Sequence, residues 1–395
     1  MVAWGPAAER DNDLFVRLCL RSRWEAAALD EAAKMASQRR VDWSLLCEEV
    51  RAGGLAPLVY DVLRGSQWVP ETAAACLRDS YYETATFAGV MSVELGHVLR
   101  LVEKAGLPVI VLKGAALGDT LYGNSALRPM TDLDLLLHDR DISAALDVLH
   151  RNGYRTTGVE VRTGHTLEYE NELVVYSPGT PPMAVELHWR LLDSPFYQDR
   201  VGASWFWETA QPALVAGTGA LVLGMEAAIL HLSAHYVLHH RAQGVRWIYD
   251  IALLVESFGN DIDWQLVFDK ATEFELIYSI QVVVQQLVDD WQVAFPADVV
   301  SAATELTASE EEQWVVHLLL SEQRPVVQRF WSDLSTMSSW RRRSSYLLAN
   351  LFPSPAYMQD RYDLHRRGLL PLAYPYRWAL GLGEFLATRR KEDEK

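Results

Sequence analysis

Cysteine is scarce in this chain: Cys19, Cys47 and Cys76 are the only three in 395 residues, and no two form a CxxC pair. That excludes a disulfide framework and a zinc ribbon, and reads the three as small hydrophobes of a reducing compartment. Basic residues are in deficit, with 36 Lys and Arg against 52 Asp and Glu for a net charge of −16. So acidic a chain is repelled by phosphate backbones, and general nucleic-acid binding is not expected. No run of about 18 uncharged apolar residues is present to form a transmembrane segment. The opening MVAWGPAAERDNDLF also lacks the basic and apolar regions of a secretory signal. These absences together predict a cytoplasmic protein. No internal repeat or low-complexity segment stands out.

What is present is apolar material for a sizeable core, since half of the residues are hydrophobic. The length suggests two or three domains at a prior of about 150 residues each. Residues 1–106 have a helical pattern: Glu25 to Val50 repeats apolar residues at three and four, Gly53 and Gly54 mark a stop, and Pro57 opens the next helix. Glu71 to Ala105 predicts one or two long helices ending at Gly106. At Leu107 the character changes. LPVIVLKG, DLDLLL, Tyr154–Thr157, Leu167–Tyr176 and MAVELHWRLL are strand-like, with a helix over DISAALDVLHRNG capped by Asp141 and stopped by Gly153. The order predicts a mixed sheet in a small α/β core, bounded here at 107–215. Residues 216–340 return to helical patterns, and 341–395 form a basic C-terminal region with eleven Lys and Arg against six Asp and Glu.

The sharpest feature is Asp132-Leu133-Asp134. On a strand both carboxylates leave the same face, with Cα atoms roughly 6.5–7 Å apart. That spacing suits divalent ions about 3.5–4 Å apart, which stabilise the attacking and leaving oxygens of phosphoryl chemistry. Upstream, Lys113-Gly114 ends a strand and begins a helix, where free amides and the helix dipole favour an anion. Arg128 lies in the loop before the acidic strand, placed either to meet a triphosphate or to pair with an aspartate. Downstream, Glu186, His188 and Arg190 alternate with Val185, Leu187 and Trp189. Polar residues along one side of a core-like strand need a reason, and either a third carboxylate beside the Asp pair or an edge strand with its polar face in water supplies one.

The segments VLKGAALGDTLYGNSALRPMTDLDLLL, NGYR and VELHWRL, with the later HLSAHYVLHHRAQGVRWIYDIALLV, resemble the bacterial uncharacterised nucleotidyltransferase family of the DNA polymerase β-like superfamily. The resemblance covers about residues 55–255 in ordered pieces and extends faintly to LFPSPAYMQDRY. It implies an α+β fold, a small mixed-sheet nucleotidyltransferase core flanked by N-terminal and C-terminal helical domains. It implies Asp132, Asp134 and Glu186 as metal ligands and catalytic residues for Mg²⁺ or Mn²⁺, and Gly114 as the glycine of the nucleotide-binding turn. Where typical members carry Gly-Ser or Gly-Gly, this chain has Lys113-Gly114-Ala115. With no hydroxyl there, Lys113 and Arg128, with His188 and Arg190, are the expected nucleotide-binding residues.

Three further groups were weighed. His231, His235 and His239 recur at i, i+4 and i+8, with Arg246 and Asp250 on a following helix. They fit a hydrogen-bonded seam, an acceptor-side pocket wall, or a metal pair, although the HExxH glutamate is missing. Trp189, Trp205, Phe206 and Trp207 suit core packing better than base stacking. The basic aromatic C-terminus suits folding back onto the acidic body, an acidic partner, or an anionic membrane surface. The expected activity is metal-dependent transfer of a nucleoside monophosphate from a nucleoside triphosphate such as ATP to a small-molecule, peptide or protein acceptor. An idle binding relative and a transferase using a nucleotide-activated sugar are the alternatives.

Overall fold

A computed structural model describes residues 7–320, 326–364 and 367–393. Five helices come first: α1 (Ala7–Arg21), α2 (Ala26–Ser37), α3 (Trp43–Ala52), α4 (Ala56–Leu63) and α5 (Glu71–Lys104). The expected single stretch from Glu25 to Val50 is two helices. Arg39 takes a left-handed φ of 57°, and the Asp42 carboxylate accepts the Ser44 and Leu45 amides to start α3 afresh. Helix α5 is continuous and stops as expected: the Gly106 amide donates to Glu103 and the Leu107 amide to Val102. That closure needs the left-handed φ of 71° that glycine adopts at Gly106. By length and composition α5 is apolar enough to cross a bilayer, against the expectation of no transmembrane segment. It also packs on α3, α4 and the sheet, so length and composition alone do not make it a span.

The sheet follows. Its elements are β1 (Ile110–Val111), α6 (Lys113–Thr120), β2 (Asp132–Leu136), α7 (Ile142–Arg151), β3 (Arg155–Thr156), α8 (His165–Tyr169), β4 (Glu172–Tyr176), β5 (Ala184–His188), α9 (Pro195–Gln198), α10 (Ala203–Glu208), β6 (Gln211–Val215) and β7 (Thr218–Val222). The strand order is β3-β4-β5-β2-β1-β7-β6. β2 runs parallel to β5 and β1 parallel to β7, with the other neighbours antiparallel, so the sheet is mixed and the α+β class holds.

Three details depart from expectation. Leu167–Tyr169 belongs to α8 rather than to a strand, because the Arg190 guanidinium collects the Leu167, Glu168 and Glu170 carbonyls at the helix end. The hairpin of β6 and β7, turned at Ala216 and Gly217 with φ of 51° and 67°, carries the sheet to Val222, past the boundary expected at 215. Asp141 occupies the N-cap position of α7, but its side chain makes no capping bond.

Beyond the sheet come α11 (Met225–Ala234), a π-helical turn (His235–His239), α12 (Val245–Phe258), α13 (Trp264–Glu273), α14 (Ile277–Asp289), α15 (Ala297–Glu305), α16 (Glu310–Leu320), α17 (Val326–Thr336), α18 (Trp340–Leu351), α19 (Pro355–Arg361) and α20 (Leu370–Asp393). Of the basic C-terminal clusters, His365 and Arg366 lie outside the described residues. Arg342 does fold back, onto the Asp199 carboxylate.

The cores explain how these pieces lock. Helices α1–α4 and α11–α15 share one hydrophobic cluster, with Phe15, Leu58, Tyr249, Val267 and Trp291 fully buried in it. The first and third regions of the chain are therefore one packed body. One sheet face buries Leu133, Leu135, Leu137, Val185 and Leu187 against α5 and α7. The opposite face buries Ile110, Leu112 and Leu136 against α9, α10 and α11. Trp205 and Phe206 pack there on Phe274, while Trp189 belongs to the other face. Cys47 and Cys76, distant in sequence, meet in space: burial first and then the Cys76 contact push the Cys47 thiol up to about 12.

Candidate active site

Alternation does for β2 what the sequence implied. Leu133, Leu135 and Leu137 go into the core, and the intervening side chains face the α11 side of the sheet. Asp132 and Asp134 share that face. The parallel register sets Asp134 beside Glu186, and β4 sets Glu172 beside His188. The result is a floor of carboxylates and cations on three adjacent strands.

Asp134 is its centre and is buried. Its Oδ1 accepts from Lys113 Nζ at 2.6 Å and from His188 Nε2 at 3.0 Å. His188 Nε2 is also 3.6 Å from Glu186 Oε2, and its Nδ1 is 3.2 Å from Glu172 Oε2. Burial alone would raise the Asp134 carboxyl, but Lys113 and His188 overcome it and hold the group well below the ordinary carboxylate range. Burial likewise works against charge on His188, yet the Asp134 and Glu186 contacts keep its pKa above the usual histidine value. Asp132, at the strand's more open end, is raised by burial and then by its neighbour Asp134. Glu172 is raised by burial.

Asp134, Glu186 and His188 bring their ligand atoms within 4.8 Å of one another. Four carboxylates (Asp132, Asp134, Glu172 and Glu186) outnumber the one ammonium, Lys113, with the His188 imidazole among them. Oxygen donors with that excess suit a hard divalent cation, so the residues fit the metal that the sequence implied. Asp132 stands outside the tight group, and His188, expected among nucleotide-binding residues, stands inside it. Glu172 was not anticipated; β4 reads ELVVY, with no polar–apolar alternation to single it out.

The Lys113-Gly114 turn lies beside the floor, where α6 begins. The left-handed residue is Lys113, with φ of 47°. Gly114 is required for a different reason: a Cβ there would sit 3.3 Å from Met130 Cβ and 3.6 Å from Arg128 Nη1. Arg128 takes the second of its expected roles. Its Nε and Nη2 donate to both Asp250 oxygens at 2.7–3.0 Å, and Nη1 donates to the Pro129 carbonyl. Tyr122 Oη completes the buried group on Asp250 at 2.6 Å. This network ties the helical body to the loop that leads into Asp132. Arg190 lies past the end of β5 and caps α8, so it is not brought to the floor.

Opposite the floor stands a wall made by α11, the π turn and the start of α12, and between them lies a cleft of about 590 Å³. The π turn is the element that sequence periodicity could not supply. It adds a residue to the turn, so His240 joins His235 and His239, with mutual ring centroids 4.6–5.0 Å apart. His235 Nε2 and His240 Nε2 are 3.0 Å apart, and His240 stacks on Trp247 at 3.5 Å. His231 stands behind them, buried, and neither ring nitrogen has a partner among the described residues. Burial and then Lys113 push it down to about 3; burial and then His239 do the same to His240. His231, His235 and His240, all lowered by burial, describe a polar seam of neutral imidazoles. Arg246 lines the cleft and Asp250 holds Arg128, so the four acceptor-side candidates divide between wall, interior and tether.

Neither the curated proteins nor the solved structures hold a significant match to the chain. The profile of the uncharacterised nucleotidyltransferase family matches residues 39–284, spanning α3 through most of α14 and so both floor and wall. The chain belongs to the uncharacterised nucleotidyltransferase family.

Proposed function

We propose that this protein is a Mg²⁺- or Mn²⁺-dependent nucleotidyltransferase acting on a small-molecule, peptide or protein acceptor. The observation that carries the reading is the pairing of Asp134 with Glu186 on adjacent parallel strands, with Asp132 two residues away and the Lys113-Gly114 turn alongside. Asp132, Asp134 and Glu186, with His188 beside them, would hold the cation. When bound, it supplies charge neutralisation at the reacting phosphate. The acceptor hydroxyl attacks the α-phosphate of a nucleoside triphosphate, the bond to the β-phosphate breaks and pyrophosphate leaves. Glu186, partly exposed at the floor, is placed to take the hydroxyl proton. Lys113 and His188 hold Asp134 ionised and fixed, so the floor needs little rearrangement when substrate binds. The acidic surface favours a compact acceptor over a long polynucleotide.

The test is pyrophosphate release from each nucleoside triphosphate with Mg²⁺ or Mn²⁺ and acceptor mixtures, comparing wild type with Asp132→Asn/Asp134→Asn. Metal-dependent release or nucleotide binding confined to the wild type supports the reading. No difference between the two proteins under any acceptor mixture refutes it.

A further inference from the structure

Arg128, in the loop before β2, and Arg246, which reaches that loop from α12, are placed differently. Arg128 is neutralised by Asp250. Arg246 has no carboxylate in hydrogen-bonding contact, although Asp250 and Asp132 lie near enough to favour its charge: its Nη1 reaches the Pro129 carbonyl at 3.3 Å, and its Nε is buried with no partner among the described residues. The guanidinium carbon lies 4.8 Å from the Trp247 ring centroid. On another side is Gly54, whose left-handed φ of 67° and missing Cβ leave the space that Nη1 fills; a Cβ there would be 2.9 Å away. Placing a second arginine beside Arg128 without a carboxylate in contact is unfavourable unless an anion completes it. Arg241, exposed at the same cleft with φ of 56°, adds a second cation to the wall.

We propose that this wall, centred on Arg246 with Arg241 in support, is the site for the β- and γ-phosphates of the triphosphate. This moves Arg246 from the acceptor side to the donor side. It rests on the nucleotidyltransferase reading and deepens it, because it orients the nucleotide: the leaving diphosphate lies toward α12, with the α-phosphate over Asp134 and Glu186. The forked donors of Arg246 suit bridging phosphate oxygens in a way that the Lys113 ammonium, already on Asp134, does not.

The experiment uses the full chain with Mn²⁺, inorganic tripolyphosphate and each nucleoside triphosphate, read by calorimetry, with Mn²⁺ binding followed separately by electron paramagnetic resonance. Arg246→Gln is expected to weaken tripolyphosphate and triphosphate binding at least about tenfold while leaving Mn²⁺ binding within about twofold. Arg246→Lys, which keeps the charge and the packing, is expected to fall between. In the wild type, tripolyphosphate and not orthophosphate is expected to protect Arg246 from phenylglyoxal, read by mass spectrometry, which needs no variant to fold. Wild-type binding of tripolyphosphate with neither an Arg246→Gln defect nor protection overturns the inference and leaves the nucleotidyltransferase reading standing. Failure of the wild type to bind any triphosphate with metal removes both.

Discussion

The two sides of the cleft are built on opposite rules. On the sheet side every buried charge meets a counter-charge: Asp134 has Lys113 and His188, and His188 has Glu172 and Glu186 beside it. Three strands fix these groups, and hydrogen-bonded register leaves them little freedom. On the helical side Arg246 Nε, both nitrogens of His231 and Glu312 Oε2 have no partner among the described residues, whereas on the floor His188 Nδ1, which makes no hydrogen bond, still has Glu172 Oε2 at 3.2 Å. A preorganised floor suits chemistry that must be ready before substrate arrives. A wall with unspent donors suits recognition, because a ligand then completes what the fold leaves open. Substitutions should therefore behave differently on the two sides, and their effects can be ranked.

The largest effect is expected at the centre of the floor. Asp134→Asn removes the carboxylate shared by Lys113 and His188. Metal-dependent turnover should drop roughly a thousand-fold, several kcal/mol at about 1.36 kcal/mol per tenfold. Stability should fall by about 3 kcal/mol, because Lys113 and His188 are left facing each other. Denaturant unfolding and a pyrophosphate assay on one preparation check both. Unchanged stability would break the claim that the floor is a paired network.

Arg128→Met comes next and tests the tether between the sides. It strands Asp250, which is fully buried, with Tyr122 as its remaining side-chain partner, and should cost about 3–5 kcal/mol. Arg246→Gln should cost less, about 1 kcal/mol, since it loses one carbonyl contact and the stacking on Trp247 but strands no buried charge. Equal losses from the two arginines would dissolve the distinction between a structural and a ligand-directed cation.

Glu312 tests the helical side alone. Its Oε1 accepts the Tyr278 amide at 2.7 Å, and burial lifts its carboxyl from 4.5 to about 7. A carboxyl raised on folding contributes stability that is fully present below pH 4.5 and is lost as the pH rises through about 7. The wild type should therefore lose about 2 kcal/mol between pH 5 and pH 8 through this group. Glu312→Gln should raise Tm at pH 8 and leave it nearly unchanged at pH 5. A pH-independent difference between the two proteins would mean that Glu312 is not protonated in the native state.

Legibility in the sequence also divides along the cleft. The floor was readable where a period of two carried the information: Asp132 and Asp134 against Leu133 and Leu135, or Glu186 and His188 against Leu187. What alternation could not tell is which strand lies beside which. Lys113 meeting Asp134, or Glu172 meeting His188, depends on register between distant segments. The β6–β7 hairpin has a two-residue Ala216-Gly217 turn, but its strands QPALV and TGALV carry no clean alternation to announce them. The wall was less readable still. A helix period places His231, His235 and His239 in one row, and nothing in that period announces the π turn that brings His240 in. Arg128 and Arg246 look alike as residues, and their difference depends on a single aspartate that can serve only one of them.

The smallest expected effect is the one that decides what the histidine row is. If His231 belonged to a metal site, its nitrogens would be needed, and removing them would cost metal affinity. If it is a neutral imidazole held in a polar seam, His231→Leu keeps most of the volume and relieves two unmet hydrogen-bonding atoms. The net change should then be within about 1 kcal/mol of zero, with stabilisation the favoured direction. Thermal unfolding and Mn²⁺ titration, run beside Asp134→Asn, separate the cases. Unchanged Mn²⁺ affinity with an equal or higher Tm keeps the metal on the floor. A loss of affinity comparable to that of Asp134→Asn would move metal chemistry across the cleft and reverse the assignment of floor and wall.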